Sequence, residues 1–321
     1  MIADAVLLND WHPVAKSTDL AEAAVVPARL LGEDLVLWRV HGKAMAWQDL
    51  CVHRGSRLSL GRLDGDLLQC AYHGWTYNEL GECVRFPAHP DQKPPSKARV
   101  VTYACREAYG LIWACLGTPG DVPAFNEWED GAFRKVACGP YRYRASGTRA
   151  IENFLDVAHL PVLHGGTLGD PAHAEIGEYQ VREDGEGIEA RDIEVWQPDP
   201  DGTGVGKNVS YTYRVMRPMT AYLAKDTDEG RLAIFASVCP VSELESVAWF
   251  WLAMNYGEEV EEGDLVAFQD RITRQDIAVV ESQRPERLPL DLQAELHLRS
   301  DRVAVAYRRW LRRLGVTFGT A

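Results

Sequence analysis

Cys51-Val-His53-Arg54-Gly55, then after His53 an interval of sixteen residues, then Cys70-Ala-Tyr-His73-Gly74-Trp75: this stretch decides how the chain is read. Each short segment supplies one cysteine and one histidine, in the same order. Two thiolates can hold one iron of a [2Fe–2S] pair while two neutral imidazoles hold the other, which raises the reduction potential above that of an all-cysteine cluster. Structural zinc takes the same donor types, but zinc fingers generally group them as a cysteine pair and a histidine pair. The flanks suit a cluster. Gly55, Gly74 and Gly81 permit the tight turns that bring amide N–H groups toward sulfur, and Trp75 and Tyr77 can shield the site from water.

This is the ligand pattern of a Rieske centre, and a further detail sorts Rieske proteins from one another. The respiratory-complex type carries an additional cysteine in each loop, and the two form a disulfide. Here the stretches 51–56 and 70–73 hold no second cysteine. A ferredoxin or an oxygenase in a reducing compartment is expected instead. Of seven cysteines, Cys83, Cys105, Cys115, Cys138 and Cys239 remain, an odd number read as reduced core thiols of a cytoplasmic protein.

A lone module of this kind needs about 100 residues, so a chain of 321 implies roughly two domains. With 46% hydrophobic residues it can bury a substantial core, and its net charge of −13 disfavours nucleic acid and anionic membranes as partners. No basic region precedes the short apolar run near Met1, so no signal peptide is expected. No apolar stretch reaches membrane-spanning length; the longest, 247–254, reads as a buried strand.

Up to about residue 117 short alternating strands recur: Leu35-Val-Leu-Trp-Arg-Val, Ala44-Met-Ala-Trp, Ala98-Arg-Val-Val-Thr-Tyr and Leu111-Ile-Trp-Ala-Cys-Leu. Gly117-Thr-Pro-Gly120 is a natural break, giving an all-β domain over 1–117 and a second domain over 118–321. The second mixes strands near 188–196, 208–215, 231–238 and 246–256 with helices near 148–163 and 264–282, an α+β arrangement with an antiparallel sheet. Asp199-Pro-Asp-Gly-Thr-Gly-Val-Gly206 reads as a loop.

A second constellation lies in Glu152-Asn153-Phe-Leu-Asp156-Val-Ala-His159-Leu-Pro161-Val-Leu-His164. Asp156 and His159 are spaced to share one helical face. His159 and His164 are not, and Pro161 is expected to break the ladder between them so that His164 can swing back. Two imidazoles with one carboxylate make the facial set that holds non-haem Fe(II) while leaving positions open. Asp276 of the later helix is the candidate carboxylate, ahead of Glu281 and Asp270. Phe268, Ile272, Val279 and Val280 supply that helix's apolar face. From spacing alone these are ordinary helix residues; the preceding cluster motif gives them weight, because a donor of single electrons needs an acceptor.

The chain at this point resembles a Rieske non-haem iron oxygenase, the terminal component of a multicomponent system. The motifs that carry the resemblance are the two Cys/His loops, Asn153-x-x-Asp156-x-x-His159-x4-His164, and Asp276 through Pro285, with an ending similar to the single-subunit branch. That branch includes vanillate- and dicamba-type O-demethylases, toluenesulfonate methyl-monooxygenases and phthalate-type dioxygenases. The resemblance implies a Rieske domain followed by a helix-grip catalytic domain. It implies cluster ligands Cys51, His53, Cys70 and His73, and iron ligands His159, His164 and Asp276. It also implies a head-to-tail homotrimer in which Asp156 couples His73 of one subunit to His159 of the next, with Asn153 near the iron. The expected reaction is O2-dependent hydroxylation or oxidative demethylation of a small aromatic or heterocyclic substrate. Ring cis-dihydroxylation and plain electron transfer are the alternatives, the latter disfavoured by the long stretch beyond Gly117. No flavin or nicotinamide fingerprint is present, so electrons must come from a separate reductase, with or without a ferredoxin. Arg54, Arg57 and Arg62 are candidates for its docking face. Asn208, Tyr211, Tyr213, Trp249, Trp251 and Asn255 alternate in facing, and which of them line the pocket is left open.

Overall fold

The computed structural model describes residues 4–185 and 187–321. Its chain divides into two compact units, one over 7–122 and the other over 123–321 together with residues 4–6.

The short helix α1 (Ala5–Leu8) precedes the first unit's strands β1 (His12–Lys16), β2 (Val25–Leu30), β3 (Glu33–Val40) and β4 (Lys43–Gln48). The chain continues through β5 (Arg62–Asp64), β6 (Leu67–Gln69), β7 (Thr76–Tyr77) and β8 (Cys83–Arg85) to β9 (Thr102–Ala108) and β10 (Leu111–Cys115). An antiparallel sheet runs β1-β10-β9-β4-β3-β2, and a smaller one runs β5-β6-β7-β8. Trp38 on β3 meets Trp47 on β4 edge to face, ring centroids 4.8 Å apart, in a core that also contains Cys51, Cys70, Tyr77 and Cys83. Sequence periodicity places a strand at 98–103, but the strand begins at Thr102. The preceding residues are drawn off by the β7–β8 turn, where Val100 N–H donates to the Gly81 carbonyl and Cys83 N–H to that of Ala98.

The second unit is one antiparallel sheet with helices laid on it. Its strands are β11 (Arg134–Tyr143), β12 (Gln180–Asp184), β13 (Gly187–Gln197), β14 (Lys207–Arg217), β15 (Thr220–Asp226), β16 (Arg231–Ser242) and β17 (Glu245–Met254), in the order β11-β17-β16-β15-β14-β13-β12. The helices are α2 (Gly147–Leu155), the one-turn α3 (Leu160–Leu163), α4 (Glu262–Val280) and α5 (Arg302–Leu314). Helix α2 is capped by Ser146, whose hydroxyl accepts the Arg149 N–H, and it contacts β15, β16 and β17 while touching both α4 and α5. It lies so close to the sheet that a Cβ on Gly147 would stand 2.9 Å from the Met219 sulfur.

Burying α2 forces its charged residues into partnership. Arg149 and Glu152 join Arg308 of α5 and Glu295 in a four-member network, with Arg149 Nη2 2.8 Å from Glu295 and Arg308 Nη2 2.8 Å from Glu152. The expected single helix over 148–163 is two. The break falls at 156–159 rather than at Pro161, which sits in the first turn of α3, where its missing N–H costs nothing. Among the described residues no helix is long and apolar enough to cross a membrane.

Candidate metal centres and substrate cavity

The two cluster loops are built alike. In the first, Cys51 N–H donates to the carbonyl five residues on (Ser56) and Gly55 N–H returns to the Cys51 carbonyl. In the second, Cys70 N–H donates to Trp75 and Gly74 N–H returns to Cys70. Both glycines have positive φ, 71° and 69°, which L side chains rarely adopt. The expected use of these glycines is therefore modified: their own N–H groups close the loops onto carbonyls. Sulfur is contacted by the Tyr77 hydroxyl, 3.1 Å from Cys51 Sγ, and by the His53 N–H.

The loops bury the cysteines and leave the imidazoles outward. Burial raises the Cys51 thiol, against Tyr77 and the His53 N–H, and the adjacent Cys70 thiol adds to the rise. His53 and His73 lie with ring centroids 4.5 Å apart, and Trp75 stacks on His53 at 4.4 Å. Desolvation, then His73 and Arg54, holds His53 below its ordinary pKa, which favours the neutral ring. Its Nδ1 is buried without a hydrogen-bond partner among the described residues. Neighbouring thiols inside and two facing imidazoles outside fit a two-iron cluster. Of the three basic residues nearby, Arg57 is held by Asp34 at 2.8 Å; Arg54 and Arg62 are exposed.

The second constellation converges. His159 is the N-cap of α3 and His164 its C-cap, so one tight turn carries both rings, and α4 brings Asp276 against them. The ligand atoms of the three residues lie within 4.8 Å of one another. Each ring turns Nε2 to Asp276 Oδ1, at 3.4 Å for His159 and 3.0 Å for His164. The opposite nitrogens are held from behind. His164 Nδ1 bonds the Gln275 amide oxygen at 2.8 Å, and His159 Nδ1 stands 3.5 Å from Asp156 Oδ2, outside hydrogen-bond geometry. Asn153 Nδ2 approaches Asp276 Oδ1 at 3.5 Å. Burial would lower the pKa of His159, but Asp156 and Asp276 overcome it and raise it to about 9. Burial works likewise against Asp276, and the two rings draw it below the usual carboxylate range. A carboxylate and two imidazoles converging with their rear nitrogens backed by other side chains fit a single divalent metal.

Asp156 and His159 do not share a helical face as their spacing suggests. Asp156 has extended backbone at the C-cap of α2, and its Oδ1 accepts the Ala158 N–H, which turns the chain toward His159. The competing carboxylates are engaged elsewhere: Glu281 holds Arg144 through both oxygens, and Asp270 accepts the Tyr141 hydroxyl at 2.7 Å. On α4, Ile272 and Val280 are buried as expected. Phe268 and Val279 are exposed, because the helix also shows Gln269 and Thr273 to the interior.

Next to the three converging residues lies a cavity of about 550 Å³. Phe154, Leu160, Leu223, Ile234, Phe250 and Leu252 form much of its wall. Of the strand residues left open by alternation, Tyr211 and Tyr213 line it. On β17 the opposite phase faces in, with Phe250, Leu252 and Met254 in place of Trp249 and Trp251. Sequence reasoning passed over Gln275, Gln197 and Lys225. The last was discoverable as a lone cation near the end of the apolar run Ala221-Tyr-Leu-Ala-Lys225.

Residues 10–104 match the Rieske [2Fe-2S] domain, and residues 143–317 match the vanillate O-demethylase oxygenase C-terminal domain. Methylxanthine N1-demethylase NdmA of Pseudomonas putida is 34% identical over 96% of this chain and 89% of its own length. The solved structure of Pseudomonas putida CBB5 NdmA with caffeine superposes with a TM-score of 0.85 at 31% identity, covering 96% of this chain and 90% of that one. Dicamba monooxygenase bound to dicamba, at 22% identity and a TM-score of 0.81 over 96% of this chain and 97% of its own, shares the fold. A [2Fe–2S] domain and an oxygenase catalytic domain on one chain, matched nearly end to end by a relative, place this protein in the family of Rieske non-haem iron oxygenases.

Proposed function

We propose that the chain is a terminal oxygenase that removes a methyl group from, or hydroxylates, a small aromatic or heterocyclic compound. It uses O2 and electrons from a separate NAD(P)H-dependent reductase, directly or through a ferredoxin. The observation that carries this reading is the convergence of His159, His164 and Asp276 beside a largely apolar cavity of about 550 Å³. In this reading Cys51, Cys70, His53 and His73 hold the [2Fe–2S] cluster, and His159, His164 and Asp276 hold the mononuclear Fe(II). Bound there, the iron supplies open positions for O2 and one of the two electrons the reaction consumes.

The protein's own side chains do the rest. Phe154 and Phe250, with ring centroids 5.9 Å apart and planes tilted by 32°, stand side by side as an apolar wall against which a flat ring packs and sheds water. Gln275 holds the rear nitrogen of His164 by a hydrogen bond and the Asp156 carboxylate faces that of His159 at 3.5 Å, an arrangement that favours Nε2 of each ring toward the metal. In a head-to-tail trimer, Asp156, which is partly exposed, would accept an N–H from a cluster imidazole of the neighbouring subunit. Insertion of one oxygen atom into a C–H bond of a methyl group on N or O gives a carbinol. That carbinol releases formaldehyde and leaves N–H or O–H, while the second oxygen atom leaves as water with two protons. The named relatives are a demethylase and a monooxygenase, which favours this outcome over ring dihydroxylation.

The test is a panel of methoxy- and N-methyl-substituted aromatics supplied with a generic reductase and scored for formaldehyde. Stoichiometric formaldehyde with substrate-dependent O2 uptake supports the reading; ring diols alone overturn demethylation. Asp276→Ala should lower iron from about three to about two per chain while the cluster absorbance persists. Retention of the third iron would reject the ligand assignment.

A further inference from the structure

On β13, β14 and β15 the cavity wall carries a polar group that the metal chemistry does not use. Lys225 is only 6% exposed, yet it lines the cavity. Its Nζ donates to the Gln197 Oε1 at 3.3 Å and to the Pro200 carbonyl at 2.5 Å and, among the described residues, to no carboxylate. Two acids that line the same cavity, Asp201 and Asp199, support its charge from a distance but make their hydrogen bonds and ion pairs to other groups. Asp201 takes Lys207 at 2.7 Å and the Thr203 hydroxyl, and Asp199 accepts the Gly204 N–H. A buried ammonium with neutral partners is costly unless something supplies the opposite charge.

Tyr211 stands directly across from Lys225 in the β14–β15 register and also lines the cavity. Gln197, 1% exposed, fixes both: its Oε1 takes the ammonium, while its Nε2 donates to the Tyr211 hydroxyl oxygen at 2.7 Å and to the Leu168 carbonyl. That pattern makes the Tyr211 oxygen an acceptor and leaves its proton to donate. One ammonium proton is also left over from the two bonds Lys225 makes. Two donors on paired residues, one of them charged, match the two oxygens of a carboxylate.

Strand alternation gives this pair a position relative to the chemistry. Tyr213, two residues along β14, stacks beside Tyr211 with centroids 6.0 Å apart and lies within electrostatic reach of Asp156 and Asp276. Tyr211 has Gln197 and Tyr256 around its hydroxyl in place of those two acids, so the donor pair lies on the side of Tyr213 away from Asp156 and Asp276. Resting on the proposed oxygenase reading, we infer that Lys225 and Tyr211, positioned by Gln197, bind an anionic carboxylate on the substrate and hold the ring with its methyl group toward His159, His164 and Asp276.

The test uses the full-length, metal-loaded protein without reductase and anaerobically. Calorimetric titrations compare the three methoxybenzoate isomers with the matching methoxybenzamides, which have nearly the same shape but no charge and one acceptor oxygen in place of two. Wild type should bind at least one benzoate about tenfold or more tightly than its amide. Lys225→Met should abolish that preference and leave amide binding within about twofold, Lys225→Arg should retain part of it, and Tyr211→Phe should weaken the benzoate alone. Thermal unfolding and cluster absorbance check that each variant is folded. Equal binding of benzoate and amide by wild type, no saturable benzoate binding, or a uniform loss of both ligands in Lys225→Met would each overturn the assignment. The preference is read without turnover. Its failure leaves formaldehyde release from neutral substrates intact, and failure of the oxygenase reading leaves the preference measurable.

Discussion

Asp156 shows how one residue can serve two purposes. Its Oδ1 caps the turn out of α2 at Ala158 N–H, and its Oδ2 faces the rear of His159 at 3.5 Å. Asp156→Asn keeps an oxygen for the turn but replaces a charged acceptor behind the imidazole. We expect both metals to stay bound and turnover to fall by about 10–100-fold, measured as formaldehyde release against iron content. Near-normal turnover would remove Asp156 from the electron path. Lys225 makes a prediction of a different kind. Burial lowers its pKa, Asp201 and Asp199 resist, and the result is about 8 against an ordinary 10.5. Below pH 8 the ammonium is present and a benzoate should bind with constant affinity. Above it, affinity should fall by about tenfold per pH unit, while amide binding stays flat. The groups around it change little near pH 8: Lys207 holds Asp201 down to about 2 and is itself raised by that pairing, and burial pushes Tyr211 and Tyr256 upward. For folding, the depressed pKa means the buried charge costs stability below pH 8, a cost that fades between 8 and 10.5 as the unfolded chain alone stays protonated. A benzoate affinity independent of pH from 7 to 10 would dismiss the ammonium from binding.

At the scale of elements, the site depends on α2 being sunk between the sheet and α5, with the two histidines on the turn that follows it. Arg308 is 3% exposed and grips Glu152, one residue before Asn153. Arg308→Met orphans a buried carboxylate. Because Arg149 remains 3.5 Å away, the loss should fall near the lower end for broken buried pairs, about 3 kcal/mol by denaturant titration. Adding Glu152→Gln should recover part of it, and a single variant as stable as wild type would show that the network carries no load. How much of this was legible beforehand follows from range. The proposed cluster residues sit in two local loops with their own turn glycines, and β13, β14, β16 and β17 show in their apolar patterns, whereas β15, buried on both faces, has no alternation to mark it. The edge strands β11 and β12 and the helix α5 could not be read either: β12 is nearly all exposed, and α5 has Arg308 on the buried face that periodicity reserves for apolar residues. The break at Asp156 was invisible for a similar reason. Nothing in Asp-Val-Ala-His forbids a helix; the side-chain bond to Ala158 N–H and the packing of α4 decide it. Gln197 and Lys225 lie on different strands, and only the pairing of β13, β14 and β15 makes them one site.

At the scale of the whole molecule, the proposed ring of subunits turns two metal sites on one chain into partners on different chains, and that arrangement has a consequence a single chain cannot imitate. Consider one variant without the cluster, His73→Ala, and another without the mononuclear iron, Asp276→Ala. Each alone should be inactive, since one lacks the electron donor and the other the acceptor. Co-expressed in equal amounts and assembled at random, they form some junctions in which an intact cluster faces an intact iron. In a head-to-tail cyclic trimer such junctions make up about a quarter of the total, because each needs one particular variant on each side. Formaldehyde release should therefore recover to about a quarter of the wild-type rate per chain, and mixing the two variants after separate purification should restore less, in proportion to subunit exchange. If electrons pass within a chain, every co-expressed molecule contains one broken half and the mixture stays inactive. Complete silence of the co-expressed pair, with mixed trimers verified by differential tags, would overturn transfer between subunits and confine Asp156 to holding His159.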